Sequence, residues 1–275
     1  MLREINQVAT RAGTANQPSS SLARTNFRGR TVSLAGGPAL ALGAAVAAAA
    51  GAVGSGSGRT AGAALVAGIG SGAVGAYDDV VGARPDQKAA KGFRGHLGAL
   101  REGRVTSGLV KIVGVGASGL AAAALLAGGR GAPRSGLMRG VDLLLGAGVI
   151  AGTANLVNLL DLRPGRALKA GLLVGVPLAA GAGPAGGVAA GAAGAAPGLL
   201  PADLDEQIML GDAGANALGA LLGTALAART GPFGRAILLA GIAGLTAASE
   251  KVSFTQVIAS TPVLRELDAL GRRVD

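Results

Sequence analysis

The chain has no cysteine, no tryptophan, one tyrosine, four phenylalanines and a single histidine, His96, among 275 residues. Without cysteine there is neither a disulfide framework nor a thiolate site, and composition carries no redox signature of the compartment. One histidine makes a zinc centre or a Ser/His/Asp triad a poor fit. Charge is scarce too: 15% of the residues are charged, and the 25 Lys and Arg outnumber the 15 Asp and Glu. The resulting formal charge of +10 does not point to nucleic acid. The bases are spread over the links between apolar runs, with almost no aromatic side chains on which nucleobases could stack.

What is abundant is small and apolar. Half of the residues are hydrophobic, 50 are glycine and the mean hydropathy is +0.50, a composition that describes a membrane protein and not an ordinary soluble domain. The 33 residues from Ala170 to Ala202 contain no ionisable side chain. One helix of that length would measure about 50 Å against a hydrocarbon core of about 30 Å, so two short spans are expected there. Eight apolar segments are read in all, near 33–54, 60–77, 107–127, 137–154, 168–183, 185–200, 213–228 and 233–249. Their Gly and Ala content is poor for soluble helices but suits close packing in lipid.

The expected fold is therefore all-α: a polytopic membrane bundle of about eight transmembrane helices forming one domain over 31–275, preceded by a polar segment over 1–30. That segment lacks the apolar core of a signal peptide, so the N-terminus is expected on the cytoplasmic side of the cell membrane. On this placement 19 Lys and Arg fall inside and 6 outside, as the positive-inside rule requires. In the tail, Thr261 and Pro262 read as N-cap and first helical residue, with Val263, Leu264, Leu267 and Leu270 sharing a face. A short interfacial helix is expected there, and simple anchoring accounts for it.

The same topology gathers the polar clusters on the cytoplasmic side. Asp78 and Asp79, in "GAYDDV", follow the second apolar segment, at the negative end of a helix dipole. Carboxylates are disfavoured there unless a cation compensates. A metal, or Lys88, Lys91 or Arg94 from the following link, is the expected cation; the plain alternative is a solvated loop start. Asn155, Asn158 and Asp161, in "NLVNLLD", recur at intervals of three and so lie within about 120° on one helix face. Capping explains one such residue well and three in register poorly. Asp212, in "MLGDAGANALG", opens the seventh segment, where an acid suits a helix N-terminus whether or not it does chemistry. Asp78, Asp79 and Asp212 are hard oxygen donors suited to Mg²⁺, while Arg28 and Arg30, ahead of the first segment, are either positive-inside anchors or phosphate ligands. "GVGASG", from Gly114 to Gly119, matches a dinucleotide fingerprint only formally, since no strand precedes it.

In this order the motifs resemble those of the polyprenyl-phosphate N-acetylhexosamine-1-phosphate transferase superfamily, glycosyltransferase family 4, which includes phospho-N-acetylmuramoyl-pentapeptide translocase. "RGRTVSLAGGPAL" is similar to the family's first cytoplasmic motif, "GAYDDV" to its paired-aspartate motif, "NLVNLLD" to its asparagine and aspartate motif, and "MLGDAGANALG" to its glycine-aspartate motif. The likeness runs from about Arg24 to Arg273. It implies transfer of a sugar 1-phosphate from a UDP-sugar to polyprenyl phosphate, with release of UMP and a requirement for Mg²⁺, in cell-envelope glycan synthesis. It also implies roles: Asp212 as metal ligand, Asp78 as base on the lipid phosphate, and Asp79 as support for the metal and phosphate site. Asn155, Asn158 and Asp161 would line the nucleotide site, with Arg28, Arg30 and Lys88 as further substrate contacts.

The pattern departs where the family continues its third motif with a second aspartate. Here Leu162 follows Asp161, Pro164 stands at that aspartate's place, and Arg163, Arg166 and Lys169 crowd around it. The translocase's late histidine-rich motif is absent, which argues against a pentapeptide substrate, and no apolar segment precedes the first motif. Two other readings stay open: a catalytically silent relative that binds lipid phosphate or a partner protein, and a small-solute transporter. A transporter should show mid-span polar residues and a repeated half. A homodimer is compatible with each.

Overall fold

The computed structural model describes residues 22–84, 87, 92–128 and 135–273. The chain is nearly all helix, and the apolar segments read in the sequence become eight helices: α1 (Gly36–Gly54), α2 (Gly58–Val81), α4 (Ser107–Ala127), α5 (Gly136–Leu160), α6 (Arg166–Ala179), α7 (Pro184–Leu204), α8 (Gly211–Arg229) and α9 (Pro232–Ser249). Between α2 and α4 lies the short α3 (Gly92–Arg101), and α10 (Phe254–Ser260) and α11 (Pro262–Ala269) follow α9. Hydroxyl caps set several starts: Ser57 accepts the N–H of Thr60 at 3.2 Å and Thr106 that of Leu109 at 3.2 Å. Both satisfy amides that a helix N-terminus otherwise leaves bare.

Five helices, α1, α2, α4, α5 and α9, are long and apolar enough to cross a membrane. The other three, two of which were expected to be short, fall outside that set for visible reasons. Helix α6 has 14 residues, too few to cross alone. Helix α7 carries Pro197, Pro201 and Asp203 near its end, and α8 carries Asp212, Asn216, Thr224 and Arg229. The Ala170–Ala202 run does divide: Gly183, at φ +85°, separates α6 from α7.

Helix α8 is the hub. Almost all of it is buried, against α1, α2, α5 and α7. Glycine makes this possible by letting backbones meet, as expected for close helix crossings in lipid. A Cβ on Gly223 would lie 2.8 Å from the Ile150 Cα, one on Gly214 2.9 Å from the Gly37 Cα, and one on Gly75 would collide with the Asp212 carbonyl. The last contact presses the end of α2 onto the start of α8.

Two short strands ahead of α1 depart from the all-α expectation. β1 (Ala23–Thr25) pairs antiparallel with β2 (Thr31–Ser33), Arg24 opposite Val32. The Asn26 carboxamide oxygen closes the turn by accepting the N–H groups of Arg28 and Arg30 at 2.9 and 3.0 Å. Ser33 then exchanges backbone hydrogen bonds with the segment before α8, donating to Gln207 O and accepting from Met209 N. The hairpin thus ties down the approach to Asp212.

Candidate functional site

Five helix ends meet at one end of the bundle around a cavity of about 880 Å³. Asp78 and Asp79 come from the end of α2, Lys111 from the start of α4, Asn155, Asn158 and Asp161 from the end of α5, Asp212 from the start of α8, and Thr246 and Glu250 from the end of α9. Arg24 of the hairpin adds a cation to the wall. The three acidic and amide motifs, far apart in sequence, share this one space.

The paired aspartates are not a loop start, because α2 runs on to Val81. Being adjacent, they point about 100° apart and meet different partners. Asp78 faces Lys111, whose Nζ lies 2.8 Å from Asp78 Oδ2 and 2.7 Å from Asp212 Oδ2. The compensating cation expected for the end of α2 is therefore Lys111, from the next apolar helix. Of the cations named in the sequence for that place, Lys88 and Lys91 lie outside the described residues.

Asp79 turns to α8. Its Oδ1 accepts the Asp212 N–H and its Oδ2 the Ala213 N–H, each at 3.0 Å. These are bare amides of the first turn, and a carboxylate on them also answers the positive end of the helix dipole. Asn216 Nδ2 returns to the Asp212 carbonyl at 2.7 Å. Position and orientation of Asp212 are thus set from both sides.

Asn155 and Asn158 stand on the last turns of α5, and Asp161 is its C-cap residue. Asn155 Nδ2 approaches Thr246 Oγ1 of α9 at 3.5 Å. Asp161 is buried, and its Oδ2 has no hydrogen-bond partner among the described residues. Burial first, then the charges of Asp203, Asp212 and Asp79, push its carboxyl well above the usual carboxylate range, against the opposing pull of the Gly211 N–H. A carboxyl held neutral offers one O–H donor as well as acceptors.

Arg28 and Arg30 do not line this cavity. Arg28 Nη1 lies 3.1 Å and Arg30 Nε 3.9 Å from the carboxylate of Glu206, which also accepts Asn26 Nδ2 at 2.6 Å. Glu206 is buried and has φ +58°, the one described residue other than glycine in that region. It fastens the hairpin to the α7–α8 link beside a smaller crevice of about 220 Å³, into which Asp161 also faces.

The cations at the departed third motif are likewise engaged elsewhere. Arg163 sits over the Phe27 ring at 4.0 Å, a cation–π arrangement. Arg166 grips Asp268 of α11 with Nε at 2.8 Å and Nη2 at 2.9 Å. Lys169 Nζ donates to the carbonyls of Leu267, Asp268 and Leu270. Arg166 and Lys169 hold the C-terminal tail and Arg163 holds Phe27 of the hairpin, and none of the three lines the main cavity in place of the missing aspartate.

Sequence reading missed Lys111, Arg24 and Glu206. Lys111 left a signal: it is the one charge in the apolar run 107–127, and an ionisable residue inside such a run calls for a partner. It also missed the buried pair at the far end of the bundle, where Arg235 Nη1 meets Asp142 Oδ1 at 2.8 Å.

Among the described residues no group of three or more His, Cys, Asp or Glu is arranged to hold a metal ion alone. Mg²⁺ is commonly held by one or two carboxylates and completes its octahedron with water and phosphate oxygens. Asp78 and Asp212, already close enough to share one ammonium group, are a donor pair of that kind. No family model, no curated protein and no solved structure matches the chain.

Proposed function

We propose that the chain is a membrane-embedded, Mg²⁺-dependent transferase that moves a sugar 1-phosphate from a UDP-sugar to polyprenyl phosphate and releases UMP. All eight long helices would make up the membrane domain, and the cavity end would face the cytoplasm. One observation carries the reading: Asp78 and Asp212, from motifs more than a hundred residues apart in sequence, converge on Lys111, in the cavity that Asn155, Asn158 and Asp161 also line. Phosphoryl transfer needs little covalent chemistry from a protein; it needs positioning and neutralisation of charge.

The residues divide that work. Asp78 and Asp212 would hold the Mg²⁺, which when bound would neutralise the diphosphate of the donor. Lys111 keeps the two carboxylates together before it arrives and can then turn to a phosphate oxygen. Asp78, nearest the α2–α4 side, is also the candidate base on the lipid phosphate. Asp79 supports the site through the α8 amides. Asp161, whose burial favours the protonated form, and the amides of Asn155 and Asn158 suit the uncharged polar part of a nucleotide, and Arg24 suits a phosphate. Arg28, Arg30 and Lys88, named from the motif resemblance, are not assigned a substrate contact. The test is UMP release by the purified protein in liposomes containing polyprenyl phosphate, across a panel of UDP-sugars, with and without Mg²⁺.

A second reading has one observation in its favour. The Lys111 ammonium already occupies the point between the two acids where a metal would bind. A relative that holds lipid phosphate without turnover would keep such a closed ion triad. It predicts lipid-phosphate binding with no UMP from any donor.

A further inference from the structure

The hairpin ahead of α1 carries a charge on its inner side. Directly opposed residues of an antiparallel pair share one face of the ribbon, and so do residues two apart on one strand. Arg24 is paired with Val32, and the bond from Leu34 N to Leu22 O continues the same register. Val32 and Leu34 are 1 and 2% exposed, so the face that holds Leu22, Arg24, Val32 and Leu34 is turned to the bundle. Three of these side chains are apolar, and the fourth places a half-buried guanidinium in the wall of the main cavity. Arg24 lies near enough to Asp79 for the two charges to attract, but both Asp79 oxygens are taken by α8 amides. Among the described residues no hydrogen bond or ion pair engages the Arg24 guanidinium. The other cation described in the cavity wall, Lys111, is committed to Asp78 and Asp212.

Two strands of three residues do not hold themselves together in water, and these are fastened at both ends. At one end Ser33 is bonded to Gln207 and Met209. At the other, the buried Glu206 carboxylate gathers Asn26 Nδ2, Arg28 Nη1 and Arg30 Nε. Glu206 keeps φ +58° in doing so, a backbone conformation that a residue with a side chain rarely holds unless its surroundings impose it. Asn26, which Glu206 grips, stands two residues beyond Arg24 and closes the turn.

We propose that the hairpin is the phosphate-binding arm of the main cavity: Arg24 takes phosphate oxygens of a ligand held there, and Glu206 is the positioning residue that keeps Arg24 within reach. A guanidinium offers a planar fork of N–H donors that matches two oxygens of a phosphate. Arg28 and Arg30, the cations of the motif resemblance, serve the arm from behind as the counter-ions of Glu206. A nucleotide diphosphate and a lipid phosphate offer Arg24 the same chemistry, and the test below separates them. The inference rests on the reading that the cavity takes a phosphate ligand, and is independent of turnover.

The full chain in lipid nanodiscs, with Mg²⁺ present, is titrated with UDP and separately with phytanyl phosphate, and the dissociation constants are measured. Arg24→Gln should weaken at least one of them by about 10-fold or more, the loss expected of a charge-assisted pair. Arg24→Lys should recover part of that loss, and Arg265→Gln, which removes an exposed charge of the tail, should change neither. Loss for UDP alone assigns the arm to the donor, loss for phytanyl phosphate alone assigns it to the acceptor, and loss for both means that either phosphate reaches Arg24. Equal affinities of the parent protein and Arg24→Gln for both ligands overturn the proposal, and leave the transferase reading standing if UMP is still released. Binding that depends on Arg24 without UMP from any donor supports the arm and overturns the transferase reading. No binding of either ligand by the parent protein overturns both. For the positioning role, Glu206→Gln should weaken the same ligand several-fold but, added to Arg24→Gln, should weaken it no further, because it acts through Arg24. Unchanged binding in Glu206→Gln, or losses that add, overturn that role. If Glu206→Gln does not fold, Arg28→Gln with Arg30→Gln breaks the same ion pairs from the hairpin side, and the same comparison decides.

Discussion

The Asp79 carboxylate accepts the backbone N–H of Asp212 at 3.0 Å and that of Ala213 at the same distance, so the second acid of the pair caps a helix 133 residues further on. Its neighbour Asp78 instead joins Asp212 across Lys111. Two adjacent residues that look equivalent in sequence hold a helix and a charge centre respectively.

The two acids should therefore fail differently. Asp79→Asn removes the charge at the start of α8 and one of its acceptors, and should cost about 1–2 kcal/mol of stability. Asp78→Asn leaves α8 capped and should lower the thermal midpoint less, while removing turnover as completely. Thermal unfolding of both variants in the same detergent checks this, and equal midpoints would mean that Asp79 does not act as the cap.

Removing the shared cation is the converse experiment. Lys111→Met leaves Asp78 and Asp212 facing each other without compensation, at a cost of about 1–3 kcal/mol. Added Mg²⁺ should restore the variant and raise its thermal midpoint more than it raises that of the parent protein, since a ligand that binds only the folded state stabilises it. A variant indifferent to Mg²⁺ would show that the two acids do not form a divalent site.

Much of this arrangement was legible beforehand, and its gaps have physical causes. The eight helices fall where runs of apolar residues lie, because length and hydropathy alone mark a helix that is buried, whether in protein or in lipid. The boundary of α2 was placed at 77 and lies at Val81: charge at a helix end reads as a loop start when its counter-ion comes from another helix. Lys111 escaped notice for the same reason, since nothing in its own segment pairs with it. Arg28 and Arg30 read as anchors or phosphate ligands because Glu206, which engages both, lies far along the chain. The convergence of Asp78, Asn155, Asn158, Asp161 and Asp212 was foreseeable from orientation alone. The expected topology of paired apolar segments assigns each of these motifs to the same side.

Asp161 provides a pH signature. Its carboxyl is raised well above the ordinary value by burial and by Asp203, Asp212 and Asp79, so the folded chain keeps a proton that the unfolded chain releases above about pH 4. Stability therefore falls as pH rises from there towards the folded-state value. Asp161→Asn removes that penalty: the variant should be more stable than the parent at pH 7, with the difference vanishing near pH 4. Thermal unfolding across this range decides it, and a variant less stable at pH 7 would mean that Asp161 is ionised and paired.

The central claim is that Asp212, held by Asp79 and Lys111, is the metal-binding centre of a sugar-phosphate transferase. The most direct measurement is UMP release from a UDP-sugar panel by liposomes holding polyprenyl phosphate and either the parent protein or Asp212→Asn. The account predicts release by the parent protein that chelation of Mg²⁺ abolishes and that Asp212→Asn lowers by about 100-fold or more. Release that is absent with every donor, or that is equal in the two proteins, would contradict it.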